Sequence, residues 1–140
     1  MNDIAKLLPH AGDSILIERV VNWDDERIQV ATTLHRSVDN PLRRHGRLAA
    51  VHLVEFAAQA MALHGGLREQ AAGHAPRAAL LVSVRDLVLR CEHLEKLDGE
   101  LEIEAHALLV SPQGWQYGFT VRHAGGEIAS GRIAAMTTGA

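Results

Sequence analysis

Leu48-Ala49-Ala50-Val51-His52-Leu53-Val54-Glu55-Phe56-Ala57-Ala58-Gln59-Ala60-Met61-Ala62-Leu63 is the stretch from which the fold follows. It reads as a helix that is apolar almost all the way round, and such a helix is buried on most sides. At about 100° per residue, His52, Glu55 and Gln59 fall within roughly 60° of one another, so the strongly polar side chains share one narrow stripe. A buried carboxylate is costly unless it is paired, hydrogen-bonded or neutralised. Glu55 is therefore either tied into a structural network or used for chemistry. Ala49, Ala50, Ala57, Ala58, Ala60 and Ala62 are small enough to let a curved sheet approach the helix axis closely.

The flanking sequence reads as strands. Ser14 to Trp23 is rich in β-branched residues and bounded by Gly12-Asp13 and Asp24-Asp25, and Arg27 to His35 alternates through Ile28, Val30, Thr32 and Leu34. Together they predict a hairpin. Before them, Asn2 to Leu8 predicts a short helical turn ended by Pro9. Ser37 to Arg47, with Asp39-Asn40-Pro41 and Gly46, is a loop that descends to the helix. The helix is expected over 48–67, with a bend at Gly65-Gly66. Beyond it lie Ala78 to Arg90, Leu101 to Ala107 with charged residues at alternate positions, Trp115 to Val121, and Glu127 to Met136, separated by turn signals. Two strands, one long helix and four further strands predict a single α+β domain over residues 1–140, in which a six-stranded antiparallel sheet wraps one central helix.

Composition narrows the function classes. Of 140 residues, 47% are apolar and 22% charged, and the net charge is −3, which gives no electrostatic reason to expect nucleic acid. The single cysteine, Cys91, excludes an internal disulfide and reads as a small core residue. No window predicts a membrane span and no leader pattern opens the chain, so the expected location is cytoplasmic. The Gly-Gly pairs fall at a helix end and in a hairpin instead of between strand and helix. No nucleotide cofactor is therefore expected. His52 and Glu55, at i and i+3, lack the third ligand that a metal site requires.

Three further stretches carry a resemblance. Leu8-Pro9-His10 followed by Ile15-Leu16-Ile17-Glu18-Arg19-Val20 resembles the opening of the hotdog-fold 3-hydroxyacyl-acyl-carrier-protein dehydratases. Glu55-Phe56-Ala57-Ala58-Gln59-Ala60 resembles the helix motif of the same family, and Ser83-Val84-Arg85 with Asp98-Gly99-Glu100-Leu101 resembles its strand and turn. In place of the family's His-Phe-Pro-Gly loop the chain has Asn40-Pro41-Leu42-Arg43-Arg44-His45-Gly46-Arg47-Leu48. That loop looks like the divergent branch associated with aryl polyene pathways.

The resemblance implies a hotdog fold and removal of water from a 3-hydroxyacyl thioester carried on the phosphopantetheine of acyl carrier protein or on CoA, with no other cofactor and no metal. Such chemistry needs a base for the proton beside the carbonyl, an acid for the departing hydroxyl and donors for the thioester oxygen. By resemblance, Glu55 is the helix glutamate that handles the hydroxyl, with His45 or His35 as the family histidine from the other subunit. The unpaired N–H groups at the helix start, near Leu48 to Val51, are expected to polarise the carbonyl. Gln59 is expected to orient Glu55 and His52 to line the substrate site. His64, His74, His93, His106 and His123 read as solvated surface. Trp115, Tyr117 and Phe119 read as core in preference to tunnel lining, and Arg43, Arg44 and Arg47 suit either a carrier protein or solubility. Uncovered sheet edges predict a homodimer or higher homo-oligomer. A hotdog thioesterase and a non-catalytic acyl-thioester-binding partner subunit are the alternatives.

Overall fold

The computed structural model describes residues 4–8, 14–75 and 77–137. The Pro9-His10 part of the opening motif lies outside them. Helix α1 spans Ile4–Leu7, followed by strands β1 (Arg19–Trp23) and β2 (Arg27–Thr32), a 3-10 turn at Leu34–Arg36, and a second 3-10 turn at Ala50–His52 that runs into α2 (Leu53–Ala71). Strands β3 (Ala79–Leu89), β4 (Leu101–Val110), β5 (Gly114–His123) and β6 (Gly126–Thr137) complete the chain. All six strands form one sheet in the order β1-β2-β4-β5-β6-β3, and every pairing is antiparallel. This is the hotdog arrangement that the sequence predicts.

The period-two patterning puts one face of the sheet on the helix. Ile28 and Val30 from β2, Leu101, Ile103 and Ala105 from β4, and Tyr117, Phe119 and Val121 from β5 are buried against Phe56, Ala57, Ala60, Met61, Leu63 and Leu67 of α2. Trp115, Tyr117 and Phe119 are thus core residues.

Several boundaries differ from expectation: β2 gives way to a 3-10 turn before His35, α2 proper begins at Leu53 and not at Leu48, and β4 runs on to Val110. The chain does not pair as a strand from Ser14, because the backbone of Leu16 is bonded to side chains. Its N–H donates to Gln59 Oε1 at 2.7 Å, and its carbonyl accepts from Thr32 Oγ1 at 2.6 Å. Nor does α2 bend or stop at Gly65-Gly66. Gly65 is there for packing: a Cβ would lie 2.3 Å from Cη2 of Trp115, so the indole needs a bare backbone beneath it.

Candidate active site

Glu55 sits in the first turn of α2, with its side chain 46% exposed, and is the acidic residue of that turn. The sheet surrounds most of the helix, but the turn at which α2 begins is open: Val51 is 49% exposed, whereas Leu53 is fully buried. His52 lies one turn before Glu55 and brings Nδ1 to 2.8 Å from Glu55 Oε2. The helical i, i+3 spacing makes this contact, which places both groups on the same rim. The His52 side chain is 27% exposed.

The segment leading into the helix is clasped by the loop between β3 and β4. Leu48 N–H donates to Glu95 Oε1 at 2.9 Å, Ala50 N–H donates to the Glu92 carbonyl at 2.8 Å, and Leu94 N–H donates to the Leu48 carbonyl at 2.8 Å. The bond from Leu48 holds the Glu95 carboxyl below its ordinary range. These bonds correct the sequence reading of the helix start. Leu48 is fully buried with both backbone groups in use, so it cannot offer its N–H to a substrate. The Val51 N–H, in contrast, has no acceptor among the described residues. The Ala49 N–H has none among them either, and Val51 is the more exposed of the two.

Gln59 is also placed differently from expectation. Its carbonyl accepts from Leu16 N–H at 2.7 Å and its amide donates to the Ser14 carbonyl at 2.6 Å, so it pins the segment before β1 and makes no hydrogen bond to Glu55. A Gln one turn beyond Glu55 looks like its neighbour in sequence, yet the longer reach of the side chain meets a backbone that only tertiary folding delivers. Beside Gln59, Ala58, Met61 and Ala62 line a cleft of about 210 Å³ with Leu7, Leu8, Arg77, Ala79 and Leu81.

Neither expected family histidine meets Glu55 within the chain. His35 is fully buried in the 3-10 turn after β2, with Nε2 2.8 Å from the Leu97 carbonyl; burial pushes its pKa down, partly opposed by that bond. A carbonyl only accepts, so Nε2 carries the proton, and the bare Nδ1 has no partner. His45 occupies a two-residue turn, with φ of 55° followed by 76° at Gly46, closed by Arg44 N–H to the Arg47 carbonyl at 2.8 Å. It is exposed on the tip of that turn. Arg43 and Arg44 brace the same loop, the first through the carbonyls of Gly46 and Arg36, the second through those of Pro41 and Arg43.

His64, read from the sequence as surface, is fully buried instead. Its Nδ1 is 2.5 Å from the Tyr117 hydroxyl and its Nε2 is 2.6 Å from the Asp24 carbonyl. The signal that could have found it is helical spacing, because His64 follows the buried Ala57, Ala60 and Met61 on the apolar side of α2.

A family model of ApeP-like proteins, described as ApeP dehydratase, matches residues 2–139. The chain belongs to that family. Among solved structures, a chain of the dehydratase heterocomplex ApeI:P from Xenorhabdus doucetiae superposes with a TM-score of 0.90 at 20% identity, covering 99% of this chain and 93% of that one. The mutant thioesterase PA1618 (Q49A) from Pseudomonas aeruginosa follows at a TM-score of 0.65 and 15% identity, covering 99% and 95%. A hypothetical thioesterase with coenzyme A from Streptococcus pneumoniae gives 0.62 and 14%, covering 86% and 85%. At these identities the structures share the hotdog fold with the ApeP-like chain. No curated protein sequence matches it. Among the described residues no helix is long and apolar enough to cross a membrane.

Proposed function

We propose that this ApeP-like protein removes water from 3-hydroxyacyl thioesters to give 2-enoyl thioesters, with the acyl group carried on acyl carrier protein or CoA and Glu55 required for the proton transfers. The observation that carries the reading is the rim at the start of α2. A carboxylate that the surrounding core would exclude is kept accessible, hydrogen-bonded to an imidazole at 2.8 Å, one turn from a backbone N–H without an acceptor. Together they supply what the elimination needs: groups that take up and return a proton, and a donor for the thioester oxygen. Membership in the ApeP dehydratase family supports the same chemistry.

The working unit in this reading is an oligomer. Strand β3 lies at one edge of the sheet, its second edge unpaired, and carries Leu80 at 63%, Val82 at 50% and Val84 at 38% exposure. An aliphatic edge of that length calls for a covering strand. A second copy of the chain is one occupant. That the similar structure from Xenorhabdus doucetiae is a dehydratase heterocomplex favours a companion dehydratase subunit as the other.

The test is to incubate the protein, alone and co-purified with a companion subunit, with 3-hydroxyacyl thioesters while recording enoyl absorbance and free thiol. Enoyl product that falls by about 10²-fold or more in Glu55→Gln supports the proposal. Thiol release without enoyl product assigns a thioesterase, and binding of acylated carrier protein with neither product assigns a non-catalytic partner subunit. Either result overturns the dehydratase reading.

A further inference from the structure

The proposed elimination needs an imidazole. His35 is enclosed in the core with Nε2 bonded to Leu97, and His45 stands on an exposed turn with no hydrogen bond to Glu55. His52 already touches Glu55. An ionised carboxylate can only accept, so a bond between Nδ1 and Glu55 Oε2 at 2.8 Å puts a ring proton on Nδ1, and in the neutral ring Nε2 is then the nitrogen with the free lone pair. Nε2 of His52 has no hydrogen-bond partner among the described residues and is not enclosed, in contrast to the buried Nδ1 of His35. Its neighbour Val51 is half exposed, with the unpaired N–H on the same rim.

We propose that His52 is a catalytic residue of this chain: held by Glu55, it takes the proton from C2 of the 3-hydroxyacyl thioester and delivers it to the departing 3-hydroxyl. The inference rests on the dehydratase reading above and assigns the imidazole to the same helix as the carboxylate. Nε2 forms a bond to the C2 proton, and the electron pair of the broken C2–H bond becomes the second bond between C2 and C3. The C3–O bond breaks with its pair leaving on oxygen, and that oxygen takes the proton from Nε2 and departs as water. The imidazole and the carboxylate finish as they began. While Nε2 carries the proton, the imidazolium lies against Glu55 at hydrogen-bond distance, so Glu55 acts by fixing the tautomer and balancing the transient charge. The Val51 N–H is placed to hold the thioester oxygen as charge develops there. Because one nitrogen handles both the proton and the hydroxyl, both must leave from the same face of the substrate.

The test uses this chain in the assembly that gives the wild-type rate, with His52→Gln, whose amide can still hydrogen-bond Glu55, and His74→Ala, in the turn that follows the far end of α2, as the control. Enoyl formation and exchange of the C2 proton with D2O are followed. His52→Gln is expected to lose about 10²-fold or more in kcat with KM within about threefold, and to lose C2 exchange in parallel, while its unfolding midpoint stays close to that of the wild type. A stereospecifically C2-deuterated substrate is expected to react by syn elimination. If the wild type dehydrates and His52→Gln keeps its rate within about threefold, or if elimination is anti, the inference is overturned and the dehydratase reading stands. Loss of activity in His45→Ala with His52→Gln unaffected overturns it in favour of the loop histidine. A wild type that neither dehydrates nor exchanges removes both.

Discussion

Replacing Tyr117 with Phe tests the polar chain inside the core, and its cost can be worked from the hydrogen bonds. The Asp24 carbonyl accepts only, so His64 Nε2, 2.6 Å away, must carry the proton. Nδ1 is then an acceptor, and the Tyr117 hydroxyl at 2.5 Å is its donor. Burial pushes the Tyr117 pKa up, with Arg68 acting against the shift, so the hydroxyl keeps its proton at neutral pH. His64 and Tyr117 are both fully buried. Tyr117→Phe fills nearly the same volume but strands Nδ1 without a donor, a loss of about 1–3 kcal/mol. His64→Leu strands the Asp24 carbonyl and the hydroxyl together, at comparable cost. The double variant no longer contains the stranded Nδ1, so it should be less unstable than the sum of the singles, with a coupling of about 0.5–3 kcal/mol. Urea unfolding of the four proteins at pH 7.5 measures this directly. Additive losses, or Tyr117→Phe within about 0.5 kcal/mol of the wild type, would refute the assigned tautomer and the chain built on it.

Other expected outcomes concern acid, packing and assembly. His35 and His64 are both held below their ordinary value of 6.5, chiefly by burial. The unfolded chain therefore gains protons below about pH 6.5 that the folded chain refuses, so stability is full above that pH and falls on acidification, by up to about 1.4 kcal/mol per pH unit for each histidine until its folded pKa is passed. Unfolding free energies from pH 8 to pH 5 should show this slope, and His64→Leu should remove about half of it. Gly65→Ala drives a methyl group to within 2.3 Å of Trp115. The overpacking cost of about 1–3 kcal/mol exceeds the gain of up to about 1 kcal/mol in helix propensity, so a lower thermal midpoint is expected, and an unchanged one would show that the indole moves freely. If the proposed interface lies on β3, Val82→Lys, which places a charge on its exposed edge, should give single chains in sedimentation; an unchanged multimeric mass would put the interface elsewhere.

How much of this was legible in the sequence depends on the range of the interaction involved. The order of elements, the hairpin of β1 and β2, the one-sided burial of β4 and the enclosure of α2 are encoded in runs of neighbouring residues, where periods of two and 3.6 decide which face is apolar. Glu55 stood out for the same reason, as a carboxylate in an apolar helix. Its contact with His52 needs only the i, i+3 geometry of that helix, although the role proposed for it rests on where the fold puts the other histidines.

The remaining decisions belong to tertiary structure. Gln59 reaches back to Ser14 and Leu16, Glu95 reaches Leu48, and His64 reaches Tyr117 and Asp24, pairs that are 43 to 53 residues apart for Leu16–Gln59, Leu48–Glu95 and His64–Tyr117. No local pattern records them, because each polar group simply finds the nearest unpaired partner once the sheet has closed. The same closure spends the N–H groups of Leu48 and Ala50, leaves those of Ala49 and Val51, buries His35 and leaves His45 outside. By itself, then, the sequence determined an antiparallel sheet wrapped round one helix that carries a carboxylate, since both follow from local periodicity and side-chain type, and its motifs gave the resemblance to the hotdog dehydratases. Which backbone donors stay unpaired beside that carboxylate was decided only by the folded chain, where competition among distant groups uses up their neighbours.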